Sequence, residues 1–271
     1  MNDVCSAVVQ AISRLKVALD KAEGRGLRVD LRKCQYIGPD GAVVIASYAL
    51  YARSRGATIE VLWPDGPRQL RDFCERSGLF DLIEHPGGGT NAAAGGAMPV
   101  MPLQRFDRAS FQDADGIVRL VHSYLSLSDD TEDALRVCVN EVTQNIEDHA
   151  ESPVGGVMMA RYLRNEVRVA IADCGLGIDE TLRPKYPELG PSEAIRKVLR
   201  GGYTAHSRDN NQGLGINNLV RIIKYHSGGI FIVSRCVRVD VRPGREPVFG
   251  DLPRAFWGTG VFFTLPLGGE A

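Results

Sequence analysis

Glu141 and Asn145 are the residues of this sequence whose types and spacing best suit chemistry. They stand four residues apart in DALRVCVNEVTQNIEDHA, residues 133–150. On a helix this spacing brings both side chains to one face, a turn apart, where a carboxylate and an amide oxygen can address one ligand. Taken alone, Glu141 is more simply interpreted as a solvated acid on a helix surface.

Asp173 belongs to a second pattern, which suits the binding of a flat base. The apolar and β-branched run VRVAIA, residues 167–172, predicts a buried strand, and Asp173 stands at its end. The carboxylate can accept a hydrogen bond from an exocyclic amine, while Gly175 and Gly177 let a planar ring approach the backbone. The alternative interpretation of this motif is an ordinary tight turn.

A third pattern, Gln212-Gly213-Leu214-Gly215, opens a predicted helix that runs to about Tyr225. The free N–H groups and the positive end of a helix N-terminus suit a phosphate group. Considered by itself, this motif is also no more than a turn.

The elements that position these residues come in a set order. A helix over 133–150 is predicted from residues at steps of three and four, namely Leu135, Cys138, Val142, Ile146 and His149. The strand with its glycine turn follows, then a long segment, the glycine-opened helix and a closing strand, GTGVFFTLPL. In this order, over roughly residues 103–268, the chain resembles the GHKL ATP-binding fold shared by histidine kinases, gyrase-type ATPases and anti-sigma factor kinases. NEVTQNIEDHA looks like the N box of that family, and DCGLGI and GLG look like its two glycine boxes.

The resemblance implies a role for each of these positions. Glu141 would polarise the attacking water or hydroxyl, Asn145 would bind Mg²⁺ between the phosphates of ATP, and Asp173 would read the adenine amine. Further contacts to the nucleotide are implied for Gly175, Gly177 and Ile178 at the base, for Gly213, Leu214 and Gly215 at the phosphates, and for Thr264, which would reach adenine through water. Residues 179–212 would form the ATP lid, in which basic residues either reach the γ-phosphate or form a solvated face: Lys197, Arg200 and Arg208.

Length and composition limit the class of protein. With 271 residues, of which 44% are hydrophobic, the chain is long enough for two modest domains. The net charge of −1 argues against a general nucleic-acid binder. Six cysteines without a C-x-x-C spacing predict reduced thiols and a cytoplasmic protein without a zinc site. The longest largely apolar stretch, residues 41–52, is too short to span a bilayer, so no membrane association is expected.

The first 84 residues predict a small α/β domain. A helix over 3–22, the strand GLRVDLR, a helix from Pro39, the strand TIEVLWP and a helix over 67–77 imply parallel strands joined by helices. Residues 26–84 resemble a STAS domain, the fold of anti-anti-sigma factors. At the regulatory turn, where that family carries Asp-Ser-Ser-Gly, this chain has Gly38-Pro39-Asp40-Gly41, so no hydroxyl is present for phosphorylation. Asp40 is interpreted as an acid that stabilises the helix dipole, with mimicry of a phosphate as the alternative.

The predicted organisation is therefore a STAS-like domain over residues 1–84, a glycine- and proline-rich linker over 85–102, and a GHKL-type domain over 103–271. The fold class is α/β, and for the second domain the expectation is a mixed sheet with helices on one face. The lid is expected at about 179–212.

The expected function is that of a cytoplasmic, Mg-ATP-binding regulatory protein that resembles anti-sigma factor kinases. It would hydrolyse ATP or transfer the γ-phosphate to a serine or threonine of a regulatory partner protein. The alternative is a non-catalytic switch in which ATP only changes the affinity for that partner. The presence of Glu141 favours turnover, since a pure binder needs no base. A homodimer is left open, and nucleic acid and membranes are not expected as partners.

Overall fold

The computed structural model describes residues 27–84, 100–201 and 215–267. These residues form a two-stranded parallel sheet, a seven-stranded sheet and the helices that cover them, which confirms the α/β class. The helix predicted over 3–22 and most of the predicted linker lie outside the described residues. Within the described part of the chain, no helix has both the length and the apolar character needed to cross a bilayer.

The N-terminal half, residues 27–84, is built on one strand–helix–strand unit. Strand β1 (Leu27–Asp30) pairs in parallel with β2 (Ile59–Leu62), and helix α1 (Pro39–Ser54) connects them. Pro39 occupies the first turn of α1, where the missing N–H costs nothing. Helices α2 (Arg68–Arg76) and α3 (Leu79–Glu84) complete this half.

The C-terminal half, residues 100–267, holds the larger sheet. Its strands are β3 (Val100–Phe106), β4 (Gly156–Leu163), β5 (Glu166–Asp173), β6 (Gly229–Ser234), β7 (Val237–Val241), β8 (Val248–Asp251) and β9 (Thr259–Pro266). Its helices are α4 (Phe111–His122), α5 (Asp129–His149), α6 (Ile178–Leu182), α7 (Pro191–Arg200) and α8 (Gly215–Tyr225). The strand order is β3-β4-β5-β9-β6-β7-β8.

The prediction of a mixed sheet in this half is wrong, because every pair of neighbouring strands is antiparallel. Short hairpins account for three of the six pairings, namely β4–β5, β6–β7 and β7–β8. Between β4 and β5 only Arg164 and Asn165 intervene, with φ of 46° and 63°, the left-handed values that a two-residue hairpin turn requires. A hairpin returns the chain antiparallel, whereas a parallel neighbour would need a long crossover.

The two faces of the large sheet are covered by different parts of the chain. Side chains alternate along a strand, so Val169 and Ile171 of β5 pack with α4, α5 and α8, whereas Ala170 and Ala172 pack on the opposite face with α1. Twelve of the sixteen residues of α1 are buried, which places this helix between its own half and the sheet.

The two halves therefore share one hydrophobic core across the inner face of the sheet. The sheet also reaches into the range that was predicted as linker, because β3 begins at Val100. The periodicity of the sequence does not predict the contact between α1 and the large sheet. The small side chains of α1, such as Ala42, Ala46 and Ala49, allow a close approach that a short amphipathic pattern does not specify.

Candidate functional site

Helix α5 holds the first pair of candidate residues in place. The Ser128 hydroxyl accepts a hydrogen bond from the backbone N–H of Thr131 and so caps the N-terminus of the helix. Leu135, Cys138 and Val142 of the predicted stripe are buried against the sheet. This packing fixes the rotation of α5 about its axis, and it leaves the two candidate side chains at the border of the core.

Glu141 lies at the contact between α5 and α8 and is half-buried. Burial raises the pKa of its carboxyl, and a hydrogen bond from the side chain of Asn218 on α8 opposes that rise. A carboxylate with a raised pKa is a better proton acceptor near neutral pH than an exposed glutamate. The chemistry open to Glu141 is therefore that of a general base.

The first residue of α8 lies directly against both candidate side chains. A Cβ placed on Gly215 would stand 2.9 Å from Oε2 of Glu141 and 3.2 Å from Nδ2 of Asn145. The positive end of α8 thus meets the carboxylate and the amide. Nδ2 of Asn145 is buried and has no hydrogen-bond partner among the described residues. Gln212, Gly213 and Leu214 lie outside the described residues.

Asp173 stands at the end of β5 and is only 2% exposed. Its Oδ1 accepts a hydrogen bond from the backbone N–H of Gly175 at 2.7 Å, and its Oδ2 accepts one from the N–H of Thr259 at 3.2 Å. Burial raises the pKa of this carboxyl to about 7, although both hydrogen bonds favour the charged form. The carboxyl is thus poised to gain or lose a proton near neutral pH.

The turn after Asp173 is fixed against α5 and β6. The N–H of Leu176 donates to the carbonyl of Ala150 at 2.8 Å, directly beyond the end of α5. Gly175 packs so closely on that carbonyl that a side chain would collide with it. Gly177 has a φ of 84°, and the N–H of Ile178 donates to the Ser234 hydroxyl at 2.8 Å. The turn is therefore rigidly connected at both ends.

Thr264 lies five residues along the sheet from Asp173 and on the opposite face, so the structure does not bring it together with the residues predicted beside it. It pairs with Arg168 and Gly229, and its side chain lies on the sheet face that α1 covers. There it lines a cavity of about 60 Å³ that Pro39 and Asp40 also line. Asp173 points to the other face, with Ile171. The predicted closing strand is confirmed as β9, and its end nearest to Asp173 carries Thr259, not Thr264.

Thr259 is the residue that the sequence reasoning missed. Besides its N–H bond to Asp173, its Oγ1 lies 3.3 Å from the Ser234 hydroxyl. The alternating direction of side chains along β9 indicates which threonine lies near Asp173. Val261 and Phe263 face α5, so Thr259 shares their face and Thr264 does not.

The segment predicted as a lid contains α6 and α7. A small apolar cluster of Leu182, Ala194 and Val198 packs these helices together. Lys197 and Arg200 lie in the last turn of α7, and Arg208 lies outside the described residues. Among the residues that the structure covers, no group of three or more His, Cys, Asp or Glu side chains is placed to hold a metal ion.

Gly258 packs directly against the Asp173 carboxylate, and its replacement gives a testable expectation. Its φ is 84°, and a Cβ would collide with the Asp173 carboxylate and stand 2.6 Å from the N–H nitrogen of Gly175. Gly244, with a φ of 65°, has open space around a Cβ. Gly244→Ala should therefore lower the free energy of unfolding by about 1 kcal/mol, from backbone strain alone. Gly258→Ala should cost a further 1–3 kcal/mol or so from the collision. Urea denaturation measures both, and equal costs would contradict this close packing.

The functional conclusion rests on the geometry described above, because comparison with known proteins adds no family. No protein-family model matches the chain, and no curated protein matches its sequence.

Proposed function

We propose that this chain is a cytoplasmic, GHKL-type regulatory protein that binds Mg·ATP between α5, the turn after β5 and the start of α8. One observation carries the proposal. Glu141 and Asn145 meet the first residue of α8, and the buried Asp173 stands on the same face of the sheet beside a rigid glycine turn.

The surroundings of Asp173 suit adenine. Each carboxylate oxygen can accept a second hydrogen bond in addition to the one it receives from the backbone, and the adenine amine is a donor. Guanine presents an acceptor oxygen at the equivalent position of the ring and would be repelled. Gly175, Gly177 and Gly258 let the backbone pack closely on Ala150, Arg235 and Asp173, which holds the turn in place beside the carboxylate that would meet the base.

The surroundings of Asn145 suit the phosphates and their metal ion. The positive end of α8 favours negative charge, and the amide offers both an oxygen and an unpartnered N–H group. Mg²⁺ keeps several waters and is bound largely through substrate phosphates, so the Asn145 oxygen would be one ligand among phosphate and water oxygens. When bound, Mg²⁺ would neutralise phosphate charge and polarise the γ-phosphoryl group.

Glu141 favours turnover over simple binding. Its raised pKa and its position beside Gly215 suit it to take the proton from an attacking water or from a serine or threonine hydroxyl. The alternative function is an ATP-gated switch for protein binding. It is favoured by the shared core, which connects the N-terminal half directly to the sheet that carries the site.

Incubation of the protein with γ-labelled ATP, alone and with candidate partner proteins, separates these outcomes. Released phosphate indicates hydrolysis, and label on a serine or threonine of another protein indicates a kinase. Binding without either product supports the switch. If calorimetry with Mg·ATP shows no binding, the nucleotide proposal is refuted.

We also propose that the N-terminal half is STAS-like but is not switched by phosphorylation at its regulatory turn. Pro39 and Asp40 begin α1 and are buried against the sheet, and the only hydroxyl in residues 36–44 is that of Tyr36. Mass spectrometry after incubation with Mg·ATP should find no phosphate on residues 36–44, while phosphopeptides elsewhere serve as the positive control. A phosphopeptide from this turn would contradict the expectation.

A further inference from the structure

Helix α1 belongs to the N-terminal half of the protein, but it contacts two segments that lie beside Asp173 in the C-terminal half. The Tyr48 hydroxyl accepts a hydrogen bond from the backbone N–H of Trp257 at 3.3 Å. The neighbouring residue, Ser47, accepts one from the thiol of Cys174 at 3.5 Å through its carbonyl oxygen. Cys174 directly follows Asp173, and Trp257 directly precedes Gly258. Two consecutive residues of α1 therefore contact both of the segments that lie beside the Asp173 carboxylate.

The ring of Tyr48 supports the same turn. Tyr48 is completely buried, and its ring packs on Phe256 and Trp257 with centroid distances of 5.4 and 5.2 Å. From the opposite side, the carbonyl of Arg235 accepts a hydrogen bond from the N–H of Phe256 at 2.6 Å. The turn over residues 256–258 is thus held between α1 and the β6–β7 hairpin.

The position of this turn determines which groups surround the Asp173 carboxylate. Gly258 lies in van der Waals contact with Asp173 and Gly175, and Thr259 donates its N–H to the Asp173 carboxylate. A small outward movement of residues 256–258 would lengthen that hydrogen bond and admit water beside the carboxyl. The N–H of Arg235 also donates a hydrogen bond to the carbonyl of Gly258 at 3.3 Å, so the β6–β7 hairpin holds one side of the turn and α1 holds the other.

We propose that Tyr48 is a positioning residue for nucleotide binding, which acts through the turn over residues 256–258 on the groups around Asp173. The N-terminal half is then a structural part of the adenine pocket, and not a separate module that docks beside it. This inference rests on the ATP site proposed above. It deepens that proposal by assigning a role in the site to the other half of the chain.

Tyr48→Phe tests the inference, with Tyr51→Phe as the matched control. Tyr51 lies on the same helix and also packs on Trp257, at a centroid distance of 4.6 Å, but its hydroxyl does not bond the turn. Loss of one hydrogen bond that holds the turn should weaken binding of ATP and of adenosine by about fivefold in Tyr48→Phe. Binding of Mg·tripolyphosphate, which lacks the base, should change less than about twofold, and the control should leave all three affinities unchanged within the same limit.

A second measurement does not depend on ATP. In the protein without nucleotide, amide hydrogen exchange at Trp257 and Thr259 should be about five- to tenfold faster in Tyr48→Phe than in the wild type, and unchanged in Tyr51→Phe. If the wild type binds ATP but Tyr48→Phe matches it in affinity and in exchange, the inference is overturned and the ATP site stands. If the wild type binds no ATP, the proposed function fails, and the exchange rates alone decide whether Tyr48 positions the turn. A weakening of equal size for ATP and for tripolyphosphate would indicate general loosening of the fold and would also overturn the inference.

Discussion

Glu141→Ala should lower the rate of ATP turnover by about 100-fold or more while ATP affinity stays within a few-fold of the wild-type value. The carboxylate acts on the attacking oxygen, so its contribution appears mainly in the transition state. Its removal leaves Asp173 and the start of α8 in place, and Asn218, its partner on α8, retains access to solvent because Glu141 is only half-buried. Single-turnover rates with γ-labelled ATP and calorimetric affinities measure the two effects separately.

Asn145→Ala should differ in kind from Glu141→Ala. The amide is expected to hold Mg²⁺ and phosphate, so this change should weaken Mg-dependent ATP binding itself, by about tenfold for a charged hydrogen bond or ligand. Gln144→Ala is the matched control, since Gln144 is exposed on the same turn of α5.

If Glu141→Ala leaves a measurable turnover unchanged, the enzyme interpretation fails and the ATP-gated switch takes its place.

The elements that carry these residues were predictable because each is specified by local patterns. Of the five predicted stripe residues of α5, Leu135, Cys138, Val142 and Ile146 are buried and His149 is partly buried. The run before Asp173 is apolar on both sides, and β5 is in fact covered on both faces, by helices of the C-terminal half and by α1. Where one pattern determines both the element and its burial, sequence reasoning is sufficient.

The pairing of strands and the contact between the halves were not predictable in the same way. A strand pattern does not specify its neighbour, and three of the six antiparallel pairings in the large sheet, β3–β4, β5–β9 and β6–β9, join strands that no hairpin connects. Likewise, α1 is predicted as part of a separate small α/β domain, yet twelve of its sixteen residues are buried and it also packs on the large sheet. The prediction of Thr264 differs from these two cases, because the sequence did contain the information. The alternation of side chains along β9 places Thr259, and not Thr264, on the face of Asp173.

Asp173→Ala should weaken ATP binding at least tenfold, because a hydrogen bond to a charged group contributes about 1.5–3 kcal/mol. In the wild type, ATP should bind clearly more tightly than GTP, and the variant should lose most of that preference. Calorimetry with both nucleotides measures the effect. An unchanged ATP affinity in the variant would show that this carboxylate does not read the base.

The free energy of unfolding of the protein without nucleotide should depend on pH through the ionisation of the same carboxyl. Its pKa is raised from 3.8 to about 7, so between these values the folded state holds a proton that the unfolded chain has released. The free energy of unfolding therefore contains a contribution that falls as pH rises from about 4 to about 7, by about 4 kcal/mol in total. The difference in stability between wild type and Asp173→Ala should shift in favour of the variant across this range. A difference that does not change with pH would mean that Asp173 has an ordinary pKa.

Adenosine affinity should change with pH in the opposite direction, because the ionised carboxylate is the form that accepts the amine. In the protonated form, the added hydrogen must share oxygens that already face the N–H groups of Gly175 and Thr259. Binding of the amine therefore expels the proton, so affinity should rise about tenfold per pH unit below about pH 7 and level off above it. Adenosine is the ligand of choice, since the phosphates of ATP titrate in the same range. Asp173→Ala should bind adenosine weakly and with the same affinity at every pH, and a wild-type affinity that does not vary between about pH 6 and about pH 8 would separate adenine recognition from this carboxyl.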